Sequence, residues 1–290
     1  MSMRAKILLV LLCPLALCGA LLALGLTLPV PYLGRDYVLT LRLPDTHGAE
    51  DLPPVQGPMD RSRPLVVIDA GHGGRDPGAS AGGIEEKRLV LALAQALRDR
   101  LLEEGGVRVA MTRDDDSFRI LSERPEVARR LDADLFISIH ADSSAEDSPV
   151  QGASIYTLSS KASSEAAARF AERENDADRL NGVDVADTDS EVSSILVELS
   201  QRRVQEKSEE FARLIMREGE GRLQFNPQPR RSAALAVLRA PDLPAVLYEA
   251  GFLTDPSDAA RLVSPEGRRR FADTMARAIR IYFARQTPVG

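Results

Sequence analysis

The sequence predicts an α/β fold, a single domain on a mainly parallel, twisted sheet flanked by helices, with a helical insertion. Three observations predict it. The continuous apolar runs Leu65–Ile68, Leu135–Ile139 and Ala245–Tyr248 read as buried strands. Leucines at 89, 93, 97 and 101 recur every four residues and read as a helix. Strand and helix patterns alternate along the chain, which favours a parallel sheet with helices as crossovers.

In chain order, Arg4 and Lys6 precede an uncharged apolar run from Ile7 to Gly34. A basic start and a leucine-rich stretch read as an export signal. The run also suits a retained membrane anchor, which needs about 20 apolar residues. Both readings of residues 1–34 stay open. Residues 35–63 carry four prolines and read as a linker, with a short extended segment around Tyr37–Leu43. The main folded domain is expected over 64–286. After the first strand, the Leu89 helix closes at Gly105-Gly106. Val107–Thr112 is the next strand. Leu121–Leu131 reads as a helix with Pro125 in its first turn. Leu135–Ile139 and Ala153–Leu158 follow as strands. An insertion over about 160–229 reads as two helical stretches, 162–181 and 191–219, separated by the turn-rich Asn181–Asp189. Ala236–Arg239 and Ala245–Tyr248 read as further strands. Phe271, Met275, Ile279, Tyr282 and Phe283 put an apolar stripe on a last helix.

Composition narrows the chemistry. The 290 residues are 44% hydrophobic and 28% charged, which excludes wholesale disorder. A net charge of −6 argues against binding nucleic acid by phosphate neutralisation. The two cysteines, Cys13 and Cys18, both lie in the amino-terminal apolar run. The rest of the chain therefore has no disulfide, thiol nucleophile or thiolate metal site.

Three histidines exist. His47 falls in the linker and reads as an ordinary exposed residue. His72 follows the first strand, in Asp69-Ala70-Gly71-His72-Gly73-Gly74, a pattern that matches neither a Walker loop nor the dinucleotide fingerprint. His140 ends the strand Leu135–Ile139. Sites in open α/β sheets are built at strand carboxyl ends, so these two can converge on one metal. A third ligand must then be a carboxylate, and Glu85 and Glu86 precede the Leu89 helix. One of that pair is the ligand and its neighbour is solvated. Glu249 ends the buried strand Ala245–Tyr248, where a carboxylate is costly unless it works or is paired. Asp76 reads as a turn residue.

Together these segments resemble the zinc-dependent N-acetylmuramoyl-L-alanine amidases of the Amidase_3 family. The resemblance is carried by Val67–Gly78, by Gly83-Ile84-Glu85-Glu86-Lys87, and by Thr112-Arg113 with Leu121 and Arg124. Ala133–Asp142 and Tyr248–Leu253 complete it. The family usually has Pro where Ala70 stands and Asn where Asp142 stands. The resemblance implies one Zn²⁺ per chain, held by His72, Glu86 and His140, with Glu85 at a variable position. It implies Glu249 as general acid–base and, as the bond cut, the amide between the lactyl group of N-acetylmuramic acid and L-alanine. Such a site leaves positions open for water and substrate.

The stretch from Ala171 to Val183, with Ser194–Leu199, is similar to the blocking helix of the cell-division branch of that family. This implies a lid over about 162–190, with Glu174 as an extra carboxylate on the open zinc position. It further implies a periplasmic enzyme opened by a LytM-type activator. The apolar Ile195, Leu196 and Leu199 are candidate contacts for it, with core packing as their alternative use. Membrane attachment would come only through residues 7–34. Two other readings compete: a zinc carboxypeptidase acting on the stem peptide, and a non-catalytic wall-binding protein.

Overall fold

The computed structural model describes residues 52–143, 151–180 and 195–286, without the side chains of 179–180 and 195–200. All six residues of β1 (Leu65–Ala70) are buried. A strand covered on both faces belongs inside a sheet. β1 lies between β4 (Arg108–Met111) and β5 (Leu135–His140), parallel to both. β5 pairs in parallel with β8 (Ala245–Glu249). Here the sheet reverses: β6 (Ala153–Leu158) runs antiparallel to β8 and parallel to β7 (Phe225–Ala233). The order is β4-β1-β5-β8-β6-β7.

Two helical layers cover this sheet. On one face lie α1 (Glu86–Glu104), α5 (Ile195–Gly219) and α7 (Pro265–Gln286). Leu89, Leu93, Leu97 and Leu101 of α1 pack there with Phe211 of α5 and Met275 and Ile279 of α7. The leucine period read from the sequence is thus the stripe that α1 buries, and Gly105 ends the helix at φ 69. The other face takes α2 (Glu123–Arg130), α3 (Glu165–Asn175) and a 3-10 turn over Ala236–Leu238, with Val67, Phe136, Tyr156 and Leu247 beneath them. Pro125 does sit in the first turn of α2, where its missing N–H is harmless. A short α4 (Ala177–Leu180) follows α3.

The structure corrects several elements. Ala236–Leu238 is the 3-10 turn and not a strand. The helical stretch read over 191–219 ends where α5 ends, at Gly219, but the insertion bound near 229 lies too late, because β7 begins at Phe225. Its sequence, with Pro227 and Pro229 and few apolar side chains, suits an outer strand that needs no full ladder of N–H donors. A two-stranded hairpin, β2 (Ser80–Ala81) with β3 (Ile84–Glu85), turns at Gly82-Gly83. A further helix, α6 (Pro256–Val263), starts at an Asp255 cap. The second half of the expected linker is tied to the sheet edge, since Gln56 exchanges both backbone hydrogen bonds with Val109. Among the described residues no helix is long and apolar enough to cross a membrane. The run 7–34, the segment 37–43 and His47 lie outside the described residues.

Candidate metal centre

β1, β5 and β8 end at the same edge of the sheet, and the residues singled out in the sequence gather there. Past Ala70 the chain turns through Gly71, and His72 adopts φ 59, a left-handed conformation rare for a side chain of this size. Two buried guanidiniums hold it. Arg113 donates to the carbonyls of Ala70 (2.9 Å), Gly71 (2.7 Å) and Lys87 (2.9 Å). Arg124 donates to the carbonyl of His72 at 3.3 Å and faces Asp69 at 3.5 Å. Burial works to raise the Asp69 carboxyl, but Arg124 and hydrogen bonds from Ser138 and Thr112 hold it below its usual range. Arg113 thus locks the His72 turn to the first residues of α1, where Glu86 stands.

Four side chains meet. Glu86 Oε1 is 3.0 Å from His72 Nε2 and 3.3 Å from His140 Nδ1. Glu174 Oε2, from α3, is 3.0 Å from His140 Nδ1 and 3.7 Å from His72 Nε2. The carboxylate of Glu86 also accepts the N–H groups of Ala141 and Ala79. Glu85 is partly exposed and pairs with Arg88, so of the two adjacent acids only Glu86 is fully buried. Gly78, at φ 65, borders the cluster so closely that a Cβ there would lie 2.6 Å from Glu86 Oε2.

Behind His72, its Nδ1 meets Asp76 Oδ2 at 2.8 Å, while Asp76 Oδ1 accepts the N–H of Gly78. Asp76 is therefore a turn residue, as read, but also the group that fixes the orientation of His72. The only signal of that second role in the sequence is the four-residue spacing from His72. A carboxylate behind a ligating imidazole is a usual supporting arrangement at metal sites.

Burial acts to discharge both imidazoles, yet the carboxylates override it. Glu86, then Asp76, raise His72 to about 10, and Glu174 and Glu86 raise His140 to about 10. Glu86 is held well below its ordinary value, against its own burial, by the two histidines. His72 Nε2, both nitrogens of His140 and Glu174 Oε2 are buried without a hydrogen-bond partner among the described residues. His72, His140 and Glu174 each offer a ligand atom, all within 4.8 Å of one another. Two imidazoles with one or two carboxylates, buried and unsatisfied, are a donor set that fits a divalent cation such as zinc.

Glu249 closes β8 in register with His140. It is buried, and Oε1 accepts the N–H of Asp142 at 2.7 Å. Among the described residues Oε2 has no hydrogen-bond partner and Glu249 makes no ion pair. Burial, then the neighbouring Asp142 carboxylate, push its carboxyl well above the usual range.

α3 is clamped across this edge. Ser164 caps it by accepting the N–H of Ala167, and Phe170 stacks on Tyr156 with ring centroids 4.5 Å apart. Arg173 grips Asp142. Asn175 accepts from the N–H of Ala236 and donates to the carbonyl of Ala234. Asp178 in α4 accepts the N–H of Leu121. The rest of the expected lid, 181–190, and the side chains of Ile195, Leu196 and Leu199 lie outside the described residues.

Residues 66–280 match the family model for N-acetylmuramoyl-L-alanine amidase. The chain is 38% identical to the amidase AmiC of Neisseria meningitidis over 76% of its own length, but only 53% of that relative. It is 35% identical to the amidase AmiA of Salmonella typhimurium over 77% of either protein. The chain thus spans about half of the first relative and three quarters of the second. Among solved structures, the amidase AmiC2 of Nostoc punctiforme superposes with a TM-score of 0.53 at 28% identity, covering 77% of this chain and 98% of that one.

Proposed function

The chain belongs to the N-acetylmuramoyl-L-alanine amidase family of hydrolases, and on that premise we propose that it is a zinc-dependent peptidoglycan hydrolase. The bond cut is the amide joining the lactyl group of N-acetylmuramic acid to L-alanine of the stem peptide. The observation that carries this reading is the convergence of His72, Glu86 and His140 at one sheet edge, with Glu249 beside them in register.

His72, Glu86 and His140 would hold the zinc ion. Zinc bound there would supply Lewis acidity, making water more acidic and the scissile carbonyl more electrophilic. The protein's own groups do the rest. Asp76 keeps His72 Nδ1 occupied, so that Nε2 faces the cluster. Asp142 fixes one oxygen of Glu249 and leaves the other free to carry a proton. Glu249 takes the proton of the attacking water and hands it to the departing amine of L-alanine. Burial and then the Asp142 carboxylate raise its pKa, which makes it a stronger base than an ordinary carboxylate for that exchange.

Glu174 supports the second half of the proposal, that the protein rests in an autoinhibited state. Its carboxylate reaches the same two histidines as Glu86 and would fill the coordination position that substrate and water need. The lid over 162–190 would be lifted by a periplasmic LytM-type activator with greater affinity for the open state. The setting would be the periplasm, reached through the export signal or anchor of residues 1–34, and the role cell separation. The test is digestion of purified sacculi by the zinc-loaded protein, followed by mass spectrometry of the products. Stem peptides with a free L-alanine amine support the proposal. Loss of only carboxyl-terminal residues from the stem would support the carboxypeptidase reading instead.

A further inference from the structure

We propose that Ser154 binds the amine side of the scissile amide, so that the sugar acid of the substrate lies over the histidines and its stem peptide runs along β6 and β7. This rests on the amidase reading above. It is carried by the register of three strands. His140 pairs with Glu249 across β5 and β8, and Glu249 pairs with Ser154 across β8 and β6. Residues paired directly across a ladder point to the same face of the sheet. One row therefore presents an imidazole of the metal cluster, the proton carrier and a hydroxyl, in that order.

The hydroxyl is the unexplained member. Ser154 is buried at 1% exposure, and its Oγ has no hydrogen-bond partner among the described residues. The same is true of Glu249 Oε2 beside it. A buried hydroxyl without a partner loses about 1–3 kcal/mol relative to a satisfied one. Two such atoms, on residues paired across β8 and β6, mark a place where a polar group of the substrate can be held. A hydroxyl can donate and accept at once. It can accept the N–H of the scissile amide and donate to Glu249 Oε2. That holds the leaving nitrogen next to the group that must protonate it.

The surface beyond Ser154 agrees with this direction. On the same face, one row further into the sheet, Tyr156 is paired in register with Arg231 of β7, which places a phenol and a guanidinium beside Ser154. α3 lies over this ground now, with Phe170 stacked on Tyr156. The lid thus covers the histidines with Glu174 and the peptide side with Phe170. Departure of one helix would uncover both halves of the cleft.

The experiment uses the full zinc-loaded chain in a Glu174→Ala background, with Ser154→Ala and Ser154→Thr added separately. Ser154→Ala should lower kcat by about tenfold to a hundredfold, the range for a lost hydrogen bond in a transition state. Inhibition by the amine-side product, an L-alanyl dipeptide, should weaken by a similar factor. Inhibition by N-acetylmuramic acid should not change. Ser154→Thr, which keeps the hydroxyl, should restore most of the loss. An unchanged kcat in Ser154→Ala, or equal weakening of both products, overturns the assignment of Ser154 while leaving the amidase reading in place. Failure of the background enzyme itself to release L-alanyl peptides overturns both.

Discussion

Asp142 donates its backbone N–H to Glu249 at 2.7 Å, and its side chain is held by Arg173, the neighbour of Glu174 on α3. One helical turn thus touches both halves of the candidate site. Glu174 faces the histidines, and Arg173 holds the residue that positions Glu249. Any motion of α3 must disturb both contacts together.

Arg173→Ala should therefore raise hydrolysis of sacculi in the absence of activator, but only a few-fold. Arg173 is about half exposed, at 54%, so solvent screens the pair and its worth is roughly 1 kcal/mol or less. The anchors at Asn175, Asp178 and Phe170 would remain. A rise as large as that of Glu174→Ala would mean that the pair, and not the carboxylate on the histidines, closes the site.

Glu174→Ala should raise basal turnover further, by tenfold or more on the order of one to two lost charged contacts, while bound zinc stays stoichiometric. The single substitution is a cleaner test than deleting 162–190. Deletion would strip Ala167, Phe170 and Ala171 from the apolar layer over Tyr156 and Leu247. Zinc content and turnover on sacculi, measured on the same preparation, decide the matter. Basal turnover equal to wild type with zinc retained would remove Glu174 from the regulation.

At the proposed zinc site, protons and metal would compete for one cluster. His72 and His140 are raised from 6.5 to about 10 without metal. A raised histidine contributes stability that is fully present below 6.5 and is lost as pH rises through about 10. Asp142, raised to about 6 by burial and then by Glu174, acts in the same direction over a lower range. The melting temperature of the chelator-treated protein should fall between pH 6.5 and 10. Zinc should reverse this, because binding expels the imidazole protons and strengthens as pH rises. Calorimetry in buffers of different ionisation enthalpy should count about two protons released per ion at neutral pH. His72→Ala or His140→Ala should abolish both zinc binding and the proton release.

The parts of this molecule legible in the sequence are those where one physical cause dominates. β1, β5 and β8 are buried on both faces, so their apolar runs stand out. α1 buries a single stripe, so its leucine period does too. β7 escaped because an outer strand with two prolines has neither alternation nor an apolar run. Ala236–Leu238 misled because a short apolar run looks the same in a buried turn as in a strand. At the candidate site, strand ends and a family resemblance point to His72, Glu86, His140 and Glu249, and the fold places these residues beside one another. Asp76 was seen only as a turn former, and Arg113 and Arg124 only as part of a motif. Their partners are backbone carbonyls distant in sequence, which no residue pattern reveals.

Arg113 makes that gap testable. Its planar fork reaches carbonyls on the His72 turn and on α1 at once. Lysine offers a point charge on a flexible stem and cannot span them. Arg113→Lys should weaken zinc binding by about tenfold or more, within the range for disturbed supporting shells. The cobalt-substituted protein should show an altered visible spectrum. Zinc affinity and spectrum identical to wild type would show that α1 and the turn hold their register without this residue.

Glu249→Gln separates proton transfer from structure. Glutamine keeps a carbonyl oxygen that can accept the N–H of Asp142, so the loop after β5 should hold its place. It cannot take a proton from water, and turnover should fall by about two to four orders of magnitude. Stability should move the other way. The Glu249 carboxyl is held well above its ordinary value by burial and then by the Asp142 carboxylate. The folded state therefore keeps a proton that the unfolded chain releases, and stability is lost as pH rises above the unfolded value near 4.5. A neutral glutamine has no such dependence. In the absence of metal, Glu249→Gln should melt higher than wild type at pH 7 to 8, and the difference should shrink toward pH 4. Melting curves over that range, with turnover on sacculi from the same protein, test both halves. Lost turnover with a lower melting temperature at every pH would mean that Glu249 is a structural group whose removal damages the site. Normal turnover would take it out of the chemistry altogether.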